Sequence, residues 1–380
     1  MPTDYLLMLQ QLVKKNLTQE ALQMNNLRVL HIGEYVQGGV ATYIKTLLTH
    51  SRDVGVDEFM VLADAKSDHS WSLDPNHVFF YSYRRSFLNI IPAMCFIQNV
   101  IAQVKPDVIY CHSTWAGVLG RFPFFFKKKR MRILYNAHGW AFTQDTSDWK
   151  KHLYAWVERL LAVRTDWIIN VSQYEMCSAI SYGIPETKMK RIYSGISSHR
   201  EDVQEASPFD SSRINLLFVG RFDPQKGVDL LLSAMQNLTR KDVHLTLIGD
   251  SVLGGKDFSV ADMDNVSSLG WISHDELPRY YFHCDAVVMP SRWEAFGLVA
   301  IEAMKYGKPV LVSPNGALPE LVSSNINGYV IDFNNPNALN IVELDKEKLR
   351  TMGEQAEKIF HQKFDSTKMC QETRALYDAN

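Results

Sequence analysis

The sequence predicts an α/β protein built from two similar halves with a ligand cleft between them, and three observations point there. Short apolar runs of strand character alternate with helix-period segments from about residue 27 onward. A polar, proline-bearing stretch over 197–212 interrupts the alternation, which then restarts. A chain of 380 residues is long for one core and comfortable for two. Open parallel sheets bind ligands at the carboxyl ends of their strands, so two such halves place a ligand between them.

The elements follow in order. Residues 1–25 read as a helical extension, with Leu6, Leu9, Leu12 and Val13 at helical spacing. The run from Leu27 to Gly33 reads as a buried strand. It leads to Gly38-Gly39, after which Val40, Tyr43, Ile44, Leu47 and Leu48 mark an amphipathic helix. Further strands are predicted over 107–112, 132–138, 167–172 and 191–193, with helices over 149–163 and 175–182. Beyond the linker come strands over 215–219, 243–248, 286–290, 309–313 and 328–332, and helices over 228–238, 276–283, 297–305 and 319–323. A final helix over 346–376 is expected to return to the first half. The expected divisions are 1–198, 212–360 and a closing helix over 361–380.

Composition excludes several classes. Hydrophobic residues at 46% and charged residues at 22% suit a soluble globular protein. A formal net charge of −2 offers nucleic acid no general attraction. The five cysteines, Cys95, Cys111, Cys177, Cys284 and Cys370, form no CxxC or Cys/His metal pattern and read as reduced structural thiols. The N-terminus lacks a basic region followed by an apolar core, and no apolar run is long enough to span a bilayer. These features together predict a cytoplasmic protein.

Six motifs bear on chemistry. In the stretch from Ser291 to Glu302, two carboxylates, Glu294 and Glu302, flank Phe296-Gly297-Leu298-Val299 where a strand passes through a loop into a helix. Helix-start N–H groups suit an anion, and carboxylates suit sugar hydroxyls, so the segment suggests a ligand that is both phosphate ester and polyol. Gly38 and Gly39, between strand and helix, let backbone approach a phosphate or simply make a turn. Arg221 and Lys226 follow the second half's first strand, as a diphosphate clamp or as solvated surface cations. His138, in Asn-Ala-His-Gly-Trp after a strand, is a hydrogen-bonding group for the cleft or one structural histidine among twelve. Asp262 and Asp264 lie in a polar stretch over 257–268 without strand pattern, and read as solvated residues rather than metal ligands. The segment Phe122-Pro-Phe-Phe-Phe-Lys-Lys-Lys-Arg130, with the apolar run 87–96, suits either an anionic membrane surface or a buried helix ending in solvated lysines.

In this order the motifs resemble those of the retaining glycosyltransferases of family 4, the "glycosyl transferases group 1" type, over nearly all of residues 27–360. The resemblance implies a GT-B fold, two Rossmann-like domains facing across a cleft. Glu294 and Glu302 match the family's EX7E motif, Arg221 and Lys226 its R-x4-K pair, Gly38 and Gly39 its glycine loop, and His138 its first-domain histidine. It implies transfer of a hexose-type sugar from a UDP- or GDP-linked donor with retention, and neither metal nor cofactor. By the same resemblance Arg221, Lys226 and the backbone of Phe296, Gly297, Leu298 and Val299 hold the diphosphate. Glu302 takes the ribose, Glu294 the donor sugar, and His138 orients that sugar. A saccharide acceptor, carried on a lipid, and work at the inner face of the membrane in O-antigen, capsule or exopolysaccharide synthesis are its further expectations.

Eight helical residues would separate the two carboxylates by roughly 12 Å and roughly 80°, too far for a hydrolase pair held about 5–9 Å apart across one bond. A loop persisting through Gly297 would instead let each glutamate reach a different part of the donor. Two alternatives remain, a GT-B nucleotide-sugar epimerase and a catalytically silent nucleotide-sugar-binding subunit.

Overall fold

The computed structural model describes residues 27–51, 55–251 and 263–378. The predicted helix over 1–25, and Asp262, lie outside these residues. The first sheet contains β1 (Leu27–Gly33), β2 (Val56–Ala63), β3 (Val78–Tyr81), β4 (Val108–His112), β5 (Arg132–Asn136), β6 (Trp167–Asn170) and β7 (Met189–Arg191). All are parallel, in the order β3-β2-β1-β4-β5-β6-β7. Its helices are α1 (Gly39–Ser51), α2 (Phe87–Val104), α3 (Thr114–Arg121), α4 (Asp148–Ala162) and α5 (Gln173–Ser181). The second sheet contains β8 (Ile214–Val219), β9 (Val243–Ile248), β10 (Val266–Ser268), β11 (Ala286–Met289), β12 (Val310–Val312) and β13 (Gly328–Val330), also parallel, in the order β10-β9-β8-β11-β12-β13. Its helices are α6 (Val228–Gln236), α7 (Leu277–His283), α8 (Leu298–Lys305), α9 (Leu318–Leu321), α10 (Lys346–Lys363) and α11 (Ser366–Asp378).

Central strands covered on both faces read as near-continuous apolar runs, and β4 and β8 are buried along almost their whole length. The chain direction across each sheet reverses once, between β1 and β4 in the first and between β8 and β11 in the second. Such reversal points open a crevice at the strand carboxyl ends.

Three differences from the sequence reading have local causes. The strand expected over 191–193 begins two residues earlier, at Met189. The stretch over 257–268 contains strand β10, a three-residue edge strand on Leu245–Leu247, too short to leave a pattern. The single closing helix is two helices. It breaks at Phe364, whose side chain is buried against Tyr193 and Phe296, while Ile196 donates to the Phe364 carbonyl at 3.1 Å and accepts from Ser366 N–H at 2.9 Å. After that crossing, Met369, Cys370, Leu376 and Tyr377 of α11 share a buried cluster with Tyr43, Ile44 and Leu47 of α1.

Candidate active site

The second-domain wall starts where β8 ends. In the loop that follows, the Lys226 N–H donates to Asp223 Oδ1 at 3.0 Å, and Gly227 turns into α6 with φ 68°. A Cβ on Gly227 would stand 2.3 Å from the Pro290 carbonyl oxygen, so glycine lets this loop lie against the end of β11. Arg292 clamps the same junction, donating to the Pro224 carbonyl and to Asp229.

The clamp brings Lys226 to Glu294. Lys226 Nζ and Glu294 Oε1 form an ion pair, to which Ser291 Oγ also donates at 3.2 Å. Glu294 is only 8% exposed. A carboxylate this buried needs a charged or hydrogen-bonding partner, and the lysine supplies it. Its backbone is fixed as well. Gly316 has φ 64°, a Cβ there would sit 2.3 Å from the Glu294 carbonyl oxygen, and Ala317 N–H donates to that oxygen at 3.0 Å. Arg221 stands apart from this pair, half exposed and bound to Gln225 Oε1 and Asp223 Oδ2, each at 3.1 Å. Gly297, at φ 111°, precedes helix α8, so the loop does persist through Gly297. Leu298 and Val299 open the helix, and Glu302 lies in its second turn, accepting from Tyr281 Oη at 2.7 Å. Burial holds the Tyr281 phenol well above its usual range, so it stays a donor. The two glutamates thus have separate partners.

The first-domain wall meets this segment at two glycine turns. A Cβ on Gly39 would lie 3.1 Å from Leu298 Cδ1, and one on Gly139 would lie 3.6 Å from Ala295 Cβ. Gly38–Gly39 and His138–Gly139 therefore face the run from Glu294 to Leu298. His138 adopts φ 51°, uncommon for a residue with a side chain. Its N–H donates to Asn136 Oδ1 at 2.9 Å, its Nε2 hydrogen-bonds His112 Nδ1 at 3.0 Å, and the Tyr43 ring meets it edge-on at 4.8 Å. Burial pushes its pKa down to about 3, so the imidazole is neutral at neutral pH.

Sequence reasoning missed several residues that hold these walls. Glu175 is buried behind the His138 loop, accepts from Val171 N–H at 3.1 Å, and is pushed by burial up to about 7, with the backbone N–H groups of Gly139 and Trp140 pulling the other way. Glu34, at the end of β1, is buried and gripped by Arg85 at 2.7 and 3.0 Å. Glu320 of the second domain accepts from the N–H groups of Gln173 and Tyr174, at 2.8 and 2.6 Å, capping the first-domain helix α5 across the interface. Glu34, directly after the strand-end glycine Gly33, and Glu320, between Leu318-Pro319 and Leu321, left a trace in the sequence; Glu175, in Ser-Gln-Tyr-Glu-Met-Cys, left none. Asp264 is exposed in the turn before β10. The basic-aromatic segment is not a helix ending in lysines but a 3-10 turn, Phe122–Phe125, with Phe124 buried and Phe126 79% exposed. Lys129 is engaged by Asp166 at 2.5 Å.

Two doubly wound domains that meet through glycine turns over a buried Lys–Glu pair define a GT-B glycosyltransferase. The chain belongs to the group 1, family 4 glycosyltransferases: the model described as "Glycosyltransferase Family 4" matches residues 37–200, and that described as "Glycosyl transferases group 1" matches residues 199–359. It is 35% identical over 320 residues to an uncharacterised 41.2 kDa protein in the cps region of Klebsiella pneumoniae, covering 82% of this chain and 87% of that one. It is 30% identical over 357 residues to an uncharacterised glycosyltransferase of Methanocaldococcus jannaschii, covering 90% and 94%. Among solved structures, HepE of Anabaena in complex with UDP superposes with a TM-score of 0.78 at 22% identity, over 93% of this chain and 100% of that one. The lipopolysaccharide outer core galactosyltransferase WaaB superposes with a TM-score of 0.70 at 17% identity, with the same coverage.

Proposed function

We propose that this chain is a retaining, metal-independent hexosyltransferase that moves a sugar from a UDP- or GDP-linked donor to a lipid-carried saccharide during synthesis of a surface polysaccharide. One observation carries the reading. The Lys226–Glu294 pair stands at the reversal point of the second sheet, opposite Gly38–Gly39 and His138–Gly139 at the carboxyl ends of the first.

Lys226, Arg221 and the first N–H groups of α8 answer the charge that grows on the departing diphosphate. When Lys226 turns to the diphosphate, Glu294 is released to accept from donor-sugar hydroxyls. Glu302 keeps one oxygen on Tyr281 and offers the other to the ribose. The sugar C1–O bond to phosphate breaks while the acceptor oxygen bonds C1 from the same face, and the acceptor's proton passes to the departing phosphate oxygen. The UDP and UDP-glucose complexes of HepE, the cps origin of the Klebsiella relative and the lipopolysaccharide role of WaaB support the donor class and the pathway class.

The test is a thermal-shift screen of UDP-, GDP- and ADP-sugars followed by product analysis with chelator present. One nucleotide sugar is expected to raise the apparent stability, by about 2.7 kcal/mol at a hundredfold excess over Kd, and Glu302→Ala is expected to abolish most of that shift. An epimerised nucleotide sugar formed without acceptor would overturn the transferase reading. Unchanged donor binding and cellular function in Glu302→Ala would favour a silent binding subunit.

The acceptor half rests on the outer face of the first domain. On α4 Trp149, Leu153, Trp156 and Leu160, and Val163 just past its end, are exposed at spacings of four, three, four and three, one helical stripe. Leu88 and Ile91 on α2, and Phe126 beyond α3, are exposed as well, beside Lys127 and Lys128. Aromatic and aliphatic side chains rimmed by lysine suit the headgroup level of an anionic bilayer. Among the described residues no helix is long and apolar enough to cross one. Flotation with anionic vesicles is expected to carry the wild type. Lys127→Ala with Lys128→Ala is expected to weaken binding roughly 30-fold, from about 1 kcal/mol per lysine. Equal flotation of wild type and double variant, or none by either, rejects the membrane contact.

A further inference from the structure

A line of four polar side chains runs from the cleft into the first domain. His138 Nε2 meets His112 Nδ1 at 3.0 Å, His112 Nε2 meets His31 Nδ1 at 2.8 Å, and His31 Nε2 meets Glu58 Oε2 at 2.8 Å. His31 and His112 are fully buried, and Glu58 is 4% exposed. The sheet builds this line. β2, β1, β4 and β5 are neighbours, and the register sets His31 beside Met60 and Tyr110, and His112 beside Asn136. Glu58 precedes Met60 by two residues, His112 follows Tyr110 by two, and His138 follows Asn136 by two. Within the strands side chains two apart share a face, so Glu58, His31 and His112 line one side of the sheet, and His138, in the loop just past β5, is brought to His112 by its left-handed turn.

The chemistry of the ends gives the line a direction. Glu58 sits at the far end as the acceptor, taking Ser51 Oγ–H on Oε1 at 2.6 Å and facing His31 with Oε2. His31 Nε2 therefore carries a proton toward Glu58. With a single ring proton, on Nε2, His31 accepts at Nδ1 from His112 Nε2–H, and His112 accepts at Nδ1 from His138 Nε2–H; a second proton on His31 would reverse the line. The nitrogen left over is His138 Nδ1, with a lone pair. Burial disfavours a charged imidazole at His112 and at His138, which keeps both rings neutral. Tyr110 packs on the His112 ring at 4.1 Å, and the Tyr43 and Tyr110 hydroxyls pair at 2.9 Å, adding cover along one side.

We propose that Glu58, His31 and His112 are positioning residues that fix the tautomer of His138, so that its Nδ1 meets the donor sugar as a hydrogen-bond acceptor. The contact with the sugar rests on the transferase reading above; the order of protons along the line does not. A carboxylate that holds an imidazole in one tautomer through its far nitrogen is a known device, and removing such a group commonly costs about 10- to 100-fold in activity.

The test is ring-nitrogen NMR on histidine-labelled full-length protein, with the His138 signal assigned from a His138→Gln spectrum. The wild type is expected to carry the His138 proton on Nε2, a measurement that needs no variant in the line. Glu58→Gln replaces an obligate acceptor with a group that also donates. It is expected to add an Nδ1-protonated population at His138 and to lower kcat about 10- to 100-fold with little change in donor KM. A wild-type His138 protonated on Nδ1 overturns the proposal. So does a Glu58→Gln protein whose tautomer, or whose kcat, matches the wild type. The expected tautomer in a wild type that turns over no nucleotide sugar overturns the transferase reading and the sugar contact, and leaves the proton order standing.

Discussion

Replacing Lys226 with alanine is expected to lower kcat by about 10²- to 10³-fold, the loss typical of one preorganised group facing transition-state charge. Lys226 is buried enough that its side chain is only 19% exposed, and the loop that carries it is fixed at Asp223 and Gly227. On the proposed reading its charge acts in a site of low polarisability and needs little reorganisation as a diphosphate departs. The substitution has a second effect, because it leaves the buried Glu294 carboxylate without its cation. A double-mutant cycle separates the two. If the pair acts as a unit, Lys226→Ala with Glu294→Gln falls no further than the worse single variant. Arg221→Ala is expected to cost less, since that side chain is half exposed and held by Gln225 and Asp223. Steady-state kcat and donor KM check all four proteins. A Lys226→Ala enzyme with kcat close to that of the wild type would remove Lys226 from the diphosphate site.

What the sequence could tell about this site depends on how local the contact is. β1, β4, β8 and β9 were legible because a strand covered on both faces leaves a continuous apolar run. β2 was not, since Val56-Asp-Glu-Phe-Met-Val-Leu-Ala63 mixes acid and apolar residues in a pattern shared with other elements. The loops bearing Gly39, His138, Lys226 and Glu294 were legible as strand ends, a relation between neighbours in sequence. The pairing of Lys226 with Glu294 was not, because it crosses 68 residues and depends on β8 lying next to β11. The line from Glu58 to His138 was illegible for the same reason. It needs the sheet order β2-β1-β4-β5, and no periodicity along the chain encodes which strands are neighbours. His31 and His112 did leave a trace, as polar residues inside apolar strands, but one such residue alone does not distinguish a satisfied core histidine from part of a functional network. The break at Phe364 shows the converse. Both flanking segments have helical periodicity, and the break between them depends on distant contacts, the burial of Phe364 against Tyr193 and Phe296 and the pairing of Ile196 with Asp365.

Arg121→Met is expected to destabilise the first domain by about 3–5 kcal/mol, as breaking a buried ion pair from one side does. Arg121 is fully buried. It donates to Glu158 Oε2 at 2.6 Å and to the Gly117 carbonyl at 2.9 Å, and its guanidinium lies 3.6 Å from the centroid of the Tyr135 ring. Gly117 makes room, since a Cβ there would come within 2.6 Å of both Arg121 Nη2 and Tyr135 Cε2. Tyr135 Oη donates to the other Glu158 oxygen at 2.7 Å. Methionine replaces the stem of the arginine but not its charge, so Glu158 keeps one neutral donor and loses its cation in a place water does not reach. The doubly apolar variant, Arg121→Met with Glu158→Leu, is expected to recover most of the loss, because a buried pair is worth little against well-packed apolar side chains. Urea unfolding followed by tryptophan fluorescence reads both. The pair also joins α3 to α4, the helix whose far face carries Trp149, Leu153 and Trp156. A loosened α4 loses the fixed stripe, so vesicle binding is expected to weaken in Arg121→Met and return in the double variant. Stability of Arg121→Met equal to that of the wild type would mean that Glu158 finds another cation or takes up a proton, and vesicle binding would then be unaffected.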